Sequence, residues 1–307
     1  MTTSVCRAYT GASDLQSMIG LLAATRPPDR MADFPGITDL HEALALSHVQ
    51  RNTRLWWGAG GQLVAFAFVD QYSNLRLEID PQAAHPSTEA EIVAWGVECV
   101  RRAGEESGES LTLDASCRED DTKRTALFQR HGFAMQETRS YHMVRSLAEP
   151  IPGPHAPSGF LISHVTGEQE AEALVALHRA AFGTEHMTVE ERLAMMRVPE
   201  YDAELDLLVI APGGRFAAYC LCSISQEENS RTGRNEGTTD PVATHPDFQR
   251  RGLAQALLLT GFCKLRQRGM DTAALSTSSE NTAMLRTAQS VGYRVRSATL
   301  WFSKPVS

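Results

Sequence analysis

The chain has 307 residues, 42% hydrophobic and 21% charged, with a formal net charge of −8 at pH 7. At roughly 150 residues per domain this length allows about two domains, and the apolar share supports real cores, which excludes a mainly disordered chain. The acidic balance argues against a non-specific binder of nucleic-acid backbones, whose affinity comes from Lys and Arg, and no stretch approaches the roughly 20 apolar residues of a membrane span.

The opening residues, MTTSVCRAYT, have no basic head leading into an apolar run, so no secretory signal is expected. The six cysteines, Cys6, Cys99, Cys117, Cys220, Cys222 and Cys263, form no CxxC pair. Neither a metal site nor a disulfide framework is expected, and the expected location is a reducing cytoplasm. Cys220 and Cys222 stand two apart in an apolar run and are expected to share one strand face as small buried hydrophobes.

Taken in order, the first half carries Trp56-Trp57, then Gly61-Gln62-Leu63 leading into the strand-like run LVAFAFVD. LRLEIDPQAAHPSTEAEIVAW (75–95) reads as strand, loop and helix start; a helical stretch closes at HGF (131–133), and SYHMV (140–144) is a short β-like tail. EPIPGPHAPSG, from residue 149, holds four prolines and two glycines and reads as a linker. In the second half FLISHV (160–165) is an expected strand and EQEAEALVALHRAAF (168–182) an expected helix, followed by a helix over 189–198. LDLLVI and RFAAYCLCSIS are adjacent strands joined by a Pro-Gly-Gly turn. TTDPVAT (238–244) is a strand in which Pro241 demands a bulge or an unpaired position. A helix over 253–268, a strand over 272–277, a helix over 281–290 stopped by Gly292, and a β tail ATLWF (298–302) follow.

The halves repeat one order of elements. Gly214-Arg215-Phe216 recurs 153 residues after Gly61-Gln62-Leu63, and VGY (291–293) recurs 160 residues after HGF. A duplication is expected, with domains over 1–148 and 159–307 and a linker over 149–158.

The segment VATHPDFQRRGLAQALLL (242–259) is a strand, a turn and a helix start. Gly252 permits close backbone approach and Ala254 is too small to block it. The first-turn N–H groups of a helix have no internal partner and lie at the positive end of its dipole, which builds a cradle for a pyrophosphate. Arg250 and Arg251 add charge at its rim. Q-x-x-G-x-A after V-x-T-H-P resembles motif A of the GNAT superfamily of acyl-CoA-dependent N-acyltransferases, and NTAMLRTAQSVGY (281–293) resembles motif B of that family.

The resemblance implies an α/β fold of two tandem GNAT-like domains, each a splayed, mostly antiparallel mixed sheet flanked by helices. It resembles the layout of mycothiol synthase and related tandem acetyltransferases. It implies acetyl-CoA as co-substrate, with no metal. Val242, Ala243 and Thr244 would pair by main chain with the pantetheine arm. Gln249, Arg250, Arg251, Gly252, Leu253 and Ala254 would hold the pyrophosphate. Asn281 would face the pantetheine or the thioester, or is a plain helix cap. The family's tyrosine acid, seven residues after that Asn, is replaced here by Ala288.

The acceptor is expected to be a small-molecule amine, with no nucleic-acid or membrane partner and a monomeric or homodimeric chain. An alkylammonium of pKa about 10.4 must lose a proton before it attacks, at a cost of about 4.6 kcal/mol at pH 7, and a carboxylate near the thioester, acting directly or through water, is the cheapest solution. Asp240 is the first candidate, Glu236 the second, and Glu227 and Glu228 the third. Asp240 also reads as a strand-end acid before Pro241, and His245 as the residue that starts the turn. A non-catalytic acyl-CoA-binding protein and a transferase using a longer acyl-CoA are the alternatives. In the first half DPQAAHPSTEAEIV has no glycine or Arg pair, and Glu89 and Glu91 would repel a pyrophosphate. That half is expected to lack a coenzyme site, and Trp56 and Trp57 are expected in its core.

Overall fold

The computed structural model describes residues 5–31, 33–83, 85–108, 110–185 and 187–306. By contact the described chain forms two compact units: residues up to Arg139 together with those from Ala298 onward, and Ser140–Ser297. The division falls elsewhere than the Pro-rich segment at 149–158. Each half's β-like tail pairs in the other unit's sheet, so a cut at the linker would take one strand from each unit.

The first unit contains β1 (Val5–Ala8), α1 (Ala12–Thr25), α2 (Ile37–Leu44), α3 (Ser47–Arg51), β2 (Thr53–Trp57), β3 (Leu63–Val69), β4 (Asn74–Ile79), α4 (Pro86–Ser107), β5 (Thr112–Arg118) and α5 (Thr122–Arg130). The tail β6 (Ala134–Ser146) then crosses into the second unit. There follow β7 (Leu161–His164), α6 (Ala171–Phe182), α7 (Val189–Met196), β8 (Asp206–Ile210), β9 (Phe216–Ser223), α8 (Gln226–Thr232), β10 (Glu236–Thr244), α9 (Leu253–Gln267), β11 (Thr272–Ser278), α10 (Thr282–Ser290) and β12 (Arg294–Pro305). Both units share one order, a strand, a helical segment and three strands, then helix, strand and helix. The helical segment has three helices in the first unit and two in the second, and the second adds the short α8.

The first unit's sheet runs β1-β2-β3-β4-β5 and closes with the part of β12 beyond Ala298, which pairs antiparallel with β5. The second runs β7-β8-β9-β10-β11 and closes with the part of β6 beyond Ser140. Every pairing within a unit is antiparallel except β4 with β5 and β10 with β11. This is the expected mixed α/β architecture.

Alternation decides which helices cover which face of the second sheet. Ala273, Leu275, Cys220 and Cys222 point to one face, where Leu257, Phe262 and Leu265 of α9 bury against them. Tyr219, Leu221, Leu208 and Ala243 point to the other, under Leu174 and Leu177 of α6. In α7, Thr188 caps the helix by accepting the Glu191 amide, and the Glu191 carboxylate accepts from the Thr188 amide. Trp56 is buried in the first core beside Trp95, and Trp57 is half-buried under the Arg7 guanidinium.

Arg192 of α7 reaches inward to Asp206 of β8, both almost wholly buried, and Asp206 also accepts from the Tyr201 hydroxyl at 2.8 Å. Removing one member of a buried pair strands the other charge. Asp206→Asn is expected to cost about 3–5 kcal/mol, read as a lowered urea midpoint at unchanged slope.

Candidate active site

The parallel pairing of β10 with β11 covers Glu236–Thr238 against Thr272–Ala274 and stops there. A register shift follows between Thr239 and Val242, where Asp240 and Pro241 are accommodated, so Pro241 stands in the irregularity its missing N–H demands. Val242, Ala243 and Thr244 then pair with β9 on one side only among the described residues. The sheet is open along their other edge.

A cavity of about 440 Å³ lies at this opening. Val242, Ala243, Thr244, Gln249, Arg250, Gly252, Leu253, Ala254 and Asn281 all line it, with Ala181 and Phe182 of α6 and Met284 and Thr287 of α10. Arg251 is the one candidate cradle residue outside this lining. Its guanidinium lies over Phe160 and Phe248 and reaches the Asp247 carbonyl at 3.4 Å, so it stiffens the loop instead.

Gly252 is the residue before α9 and has φ +80°, which strains any side chain larger than hydrogen. No side chain caps this helix. The first helical amide taken by the chain itself is that of Ala256, which donates to the Gly252 carbonyl at 2.9 Å. The amides from Leu253 to Gln255 have no acceptor among the described residues. They border the cavity together with the helix's positive end.

Asn281 accepts the Met284 amide at 3.0 Å, so it is the helix cap, and it lines the cavity as well. Ala288 is fully buried, while its neighbour Thr287 faces the cavity. Tyr293 lies in the core with its hydroxyl 2.7 Å from Thr239 Oγ1, and burial pushes its pKa well above the usual value. His245 accepts the Asp247 amide and forms the turn. The hydrogen bond with Cys222 and burial push the Cys220 thiol up, so it is a poor nucleophile.

The acidic candidates separate. Asp240 stands at the opening, where one carboxylate oxygen accepts the Ser276 amide of β11 at 3.1 Å. Glu236 is at the start of the same strand, ion-paired with Arg296 at 2.8 Å. Glu227 pairs with Arg231 along α8. None of the four acids lines the cavity itself; Asp240 is the one next to its lining strand segment Val242–Thr244. Among the described residues no cluster of His, Cys, Asp or Glu could hold a metal ion, and no helix is long and apolar enough to cross a membrane.

Residues 171–293 match the model of the Acetyltransferase (GNAT) family. The second unit carries a GNAT acetyltransferase domain. The mycothiol acetyltransferase of Thermobispora bispora is 27% identical over 167 residues, 53% of this chain and 56% of that protein. The chain thus spans about half the length of the curated relatives it matches. A GCN5-related N-acetyltransferase from Sphaerobacter thermophilus superposes with TM-score 0.72 at 22% identity, over 99% of this chain and 96% of that one. A tandem GNAT protein from the clavulanic acid biosynthesis pathway gives TM-score 0.72 at 15% identity over 100% and 99%. These likenesses show the tandem GNAT fold.

Among the described residues the first unit builds the corresponding region differently. Its α4 is capped, His85 accepting the Ser87 amide. Glu89 pairs there with Arg130, and Glu91 accepts from the Trp56 indole. Its sheet opens after Leu75, the last β4 residue paired with β5. Three residues on, Glu78 is almost wholly buried between Arg26 and Arg124, each 2.7 Å away. Burial would raise the Glu78 pKa, but Arg124 and Arg26 hold it below the ordinary value. Arg124 follows the cap Asp121 by three residues, as cavity-lining Met284 follows Asn281. An ion triad thus stands just beyond the point where β4 and β5 part.

Sequence reasoning missed the bracing of the cavity's α6 wall. His178 shares a 2.6 Å hydrogen bond with Tyr219, the strand partner of Ala243, and its ring lies 4.4 Å from that of Phe182. Burial, with Arg192 nearby, holds the His178 pKa down to about 4. The unfolded imidazole, at about 6.5, binds a proton in the window where the folded one stays neutral. Its contribution to stability is therefore complete above pH about 6.5 and declines as pH falls towards 4. His178→Gln is expected to flatten the loss of stability over that window, measured by urea midpoints at pH 7 and pH 5.

Proposed function

We propose that this chain is an acetyl-CoA-dependent N-acetyltransferase acting on a small-molecule amine. The observation that carries this reading is the run of unsatisfied amides from Leu253 to Gln255 beside an open strand edge, within a GNAT domain. The cradle fits a coenzyme: amide donors and the helix dipole suit a diphosphate, and the edge of Val242–Thr244 suits the amides of a pantetheine arm. The relatives named as mycothiol acetyltransferases support acetyl transfer to a small molecule.

The chemistry needs no covalent enzyme intermediate. The amine nitrogen attacks the thioester carbonyl carbon, the carbon–sulfur bond breaks, and the amine's proton goes to Asp240. Main-chain N–H groups at the opening polarise the carbonyl. A thiol of pKa about 8.5 leaves acceptably near neutral pH, which is compatible with an alanine at position 288. In the first unit the Arg26–Glu78–Arg124 triad and the capped α4 support one coenzyme per chain. Six free cysteines suit a reducing cytoplasm.

Free CoA release across a panel of amines tests the reading. Asp240→Asn is expected to lower kcat about 10²–10⁴-fold with acetyl-CoA affinity unchanged, whereas Gly252→Val should abolish that affinity. Calorimetry should give one CoA per chain. CoA binding without turnover on any amine would leave a binding protein, and no binding would remove the reading altogether.

A further inference from the structure

Asp240 begins a chain of polar contacts that runs over the next two strands. Asp240 of β10 accepts the Ser276 amide of β11. The Ser276 hydroxyl lies 2.9 Å from Nδ1 of His142 on β6, its direct cross-strand partner. Ser276 is exposed, and His142 and Asp240 are half-buried. Their strand neighbours Leu275 and Met143 point the other way, into the core under α9. Alternation therefore commits Ser276 and His142 to one face, and Asp240 reaches Ser276 from the register shift in β10. The contact with Ser276 fixes the plane of the imidazole, since a ring held at Nδ1 keeps its other edge in one direction.

An amine that gives its proton to Asp240 has its nitrogen within about 3 Å of that carboxylate. The coenzyme arm, on the reading above, takes the open edge of Val242–Thr244. The body of the acceptor then extends away from the arm, across β11 towards β6. Adjacent strands lie about 4.8 Å apart, so His142 stands about two strand spacings from Asp240. With a hydrogen bond at each end, a group reaching both residues spans about 5–9 Å.

We propose that His142 is an acceptor-binding residue, and that the acceptor is a primary amine bearing a hydroxyl or carbonyl about 5–9 Å from its nitrogen. This rests on Asp240 as the group that takes the amine's proton. It also gives β6, a strand from the first half of the sequence, a part in the chemistry of the second.

The test is titration calorimetry on the full chain with two probes of equal length, 5-aminopentan-1-ol and hexylamine, each with and without saturating CoA. Wild type is expected to bind the amino alcohol at least tenfold more tightly than the amine. His142→Ala should bring the two within twofold of each other. His142→Asn, whose side-chain oxygen can replace Nδ1 at Ser276, should do the same with an unchanged thermal midpoint, and it decides the matter if the alanine variant does not fold. Asp240→Asn should weaken both probes alike. No binding by wild type, no preference, or a preference that survives in His142→Asn would overturn the proposal. Failure of CoA itself to bind would instead count against the transferase reading, and the titrations without CoA would still judge His142.

Discussion

A helix cannot satisfy its own first N–H groups, and everything at the cavity follows from how α9 leaves them. Half of the ten described α-helices begin with a capping side chain: His85, Asp121, Thr188, Ser225 and Asn281 each accept an amide from the turn they start. At α9 that residue is Gly252, in the left-handed region, with no side chain to offer. The absent cap leaves donors and a positive dipole end facing a cavity. A capping side chain there would gain only a few tenths of a kcal/mol over glycine, would be strained at φ +80°, and would take up the donors that make the cradle.

The two units show one scaffold resolved in opposite ways. In both, a parallel pair of strands parts after two or three residues, and an acid stands just beyond. In the second unit that acid, Asp240, is half-buried and accepts a main-chain amide of the next strand. In the first, Glu78 lies between two guanidinium groups and is almost wholly buried. A carboxylate held as Glu78 is has its charge compensated and its access closed, and a proton-accepting role would require breaking a buried pair at about 3–5 kcal/mol.

Much of the cavity could be read in the sequence because its parts are local. The run from Val242 to Ala254 encodes strand, turn, glycine and helix start within thirteen residues, and Asn281 to Gly292 encodes the facing helix. The exchange of β6 and β12 could not be read in the same way. A period-two pattern says that SYHMV and ATLWF are strands and which residues share a face, but not which neighbour they join. The linker prolines then drew the boundary where composition changes, whereas the compact units follow the hydrogen-bonded partners. Arg26, Glu78 and Arg124 are scattered over a hundred residues, and His142 meets Ser276 only through register. Arg251 belongs to the cradle motif by position, and its guanidinium lies over two aromatic rings, which the sequence pattern does not show.

The most direct measurement is the amide NMR spectrum of the labelled chain during titration with inorganic pyrophosphate and then CoA. If the uncapped start of α9 is the diphosphate site, the amide resonances of Leu253, Ala254 and Gln255 shift with both ligands, while those of Ser87 and Glu89 in the capped α4 stay in place. Unmoved α9 amides, or shifts of equal size at α4, would contradict it.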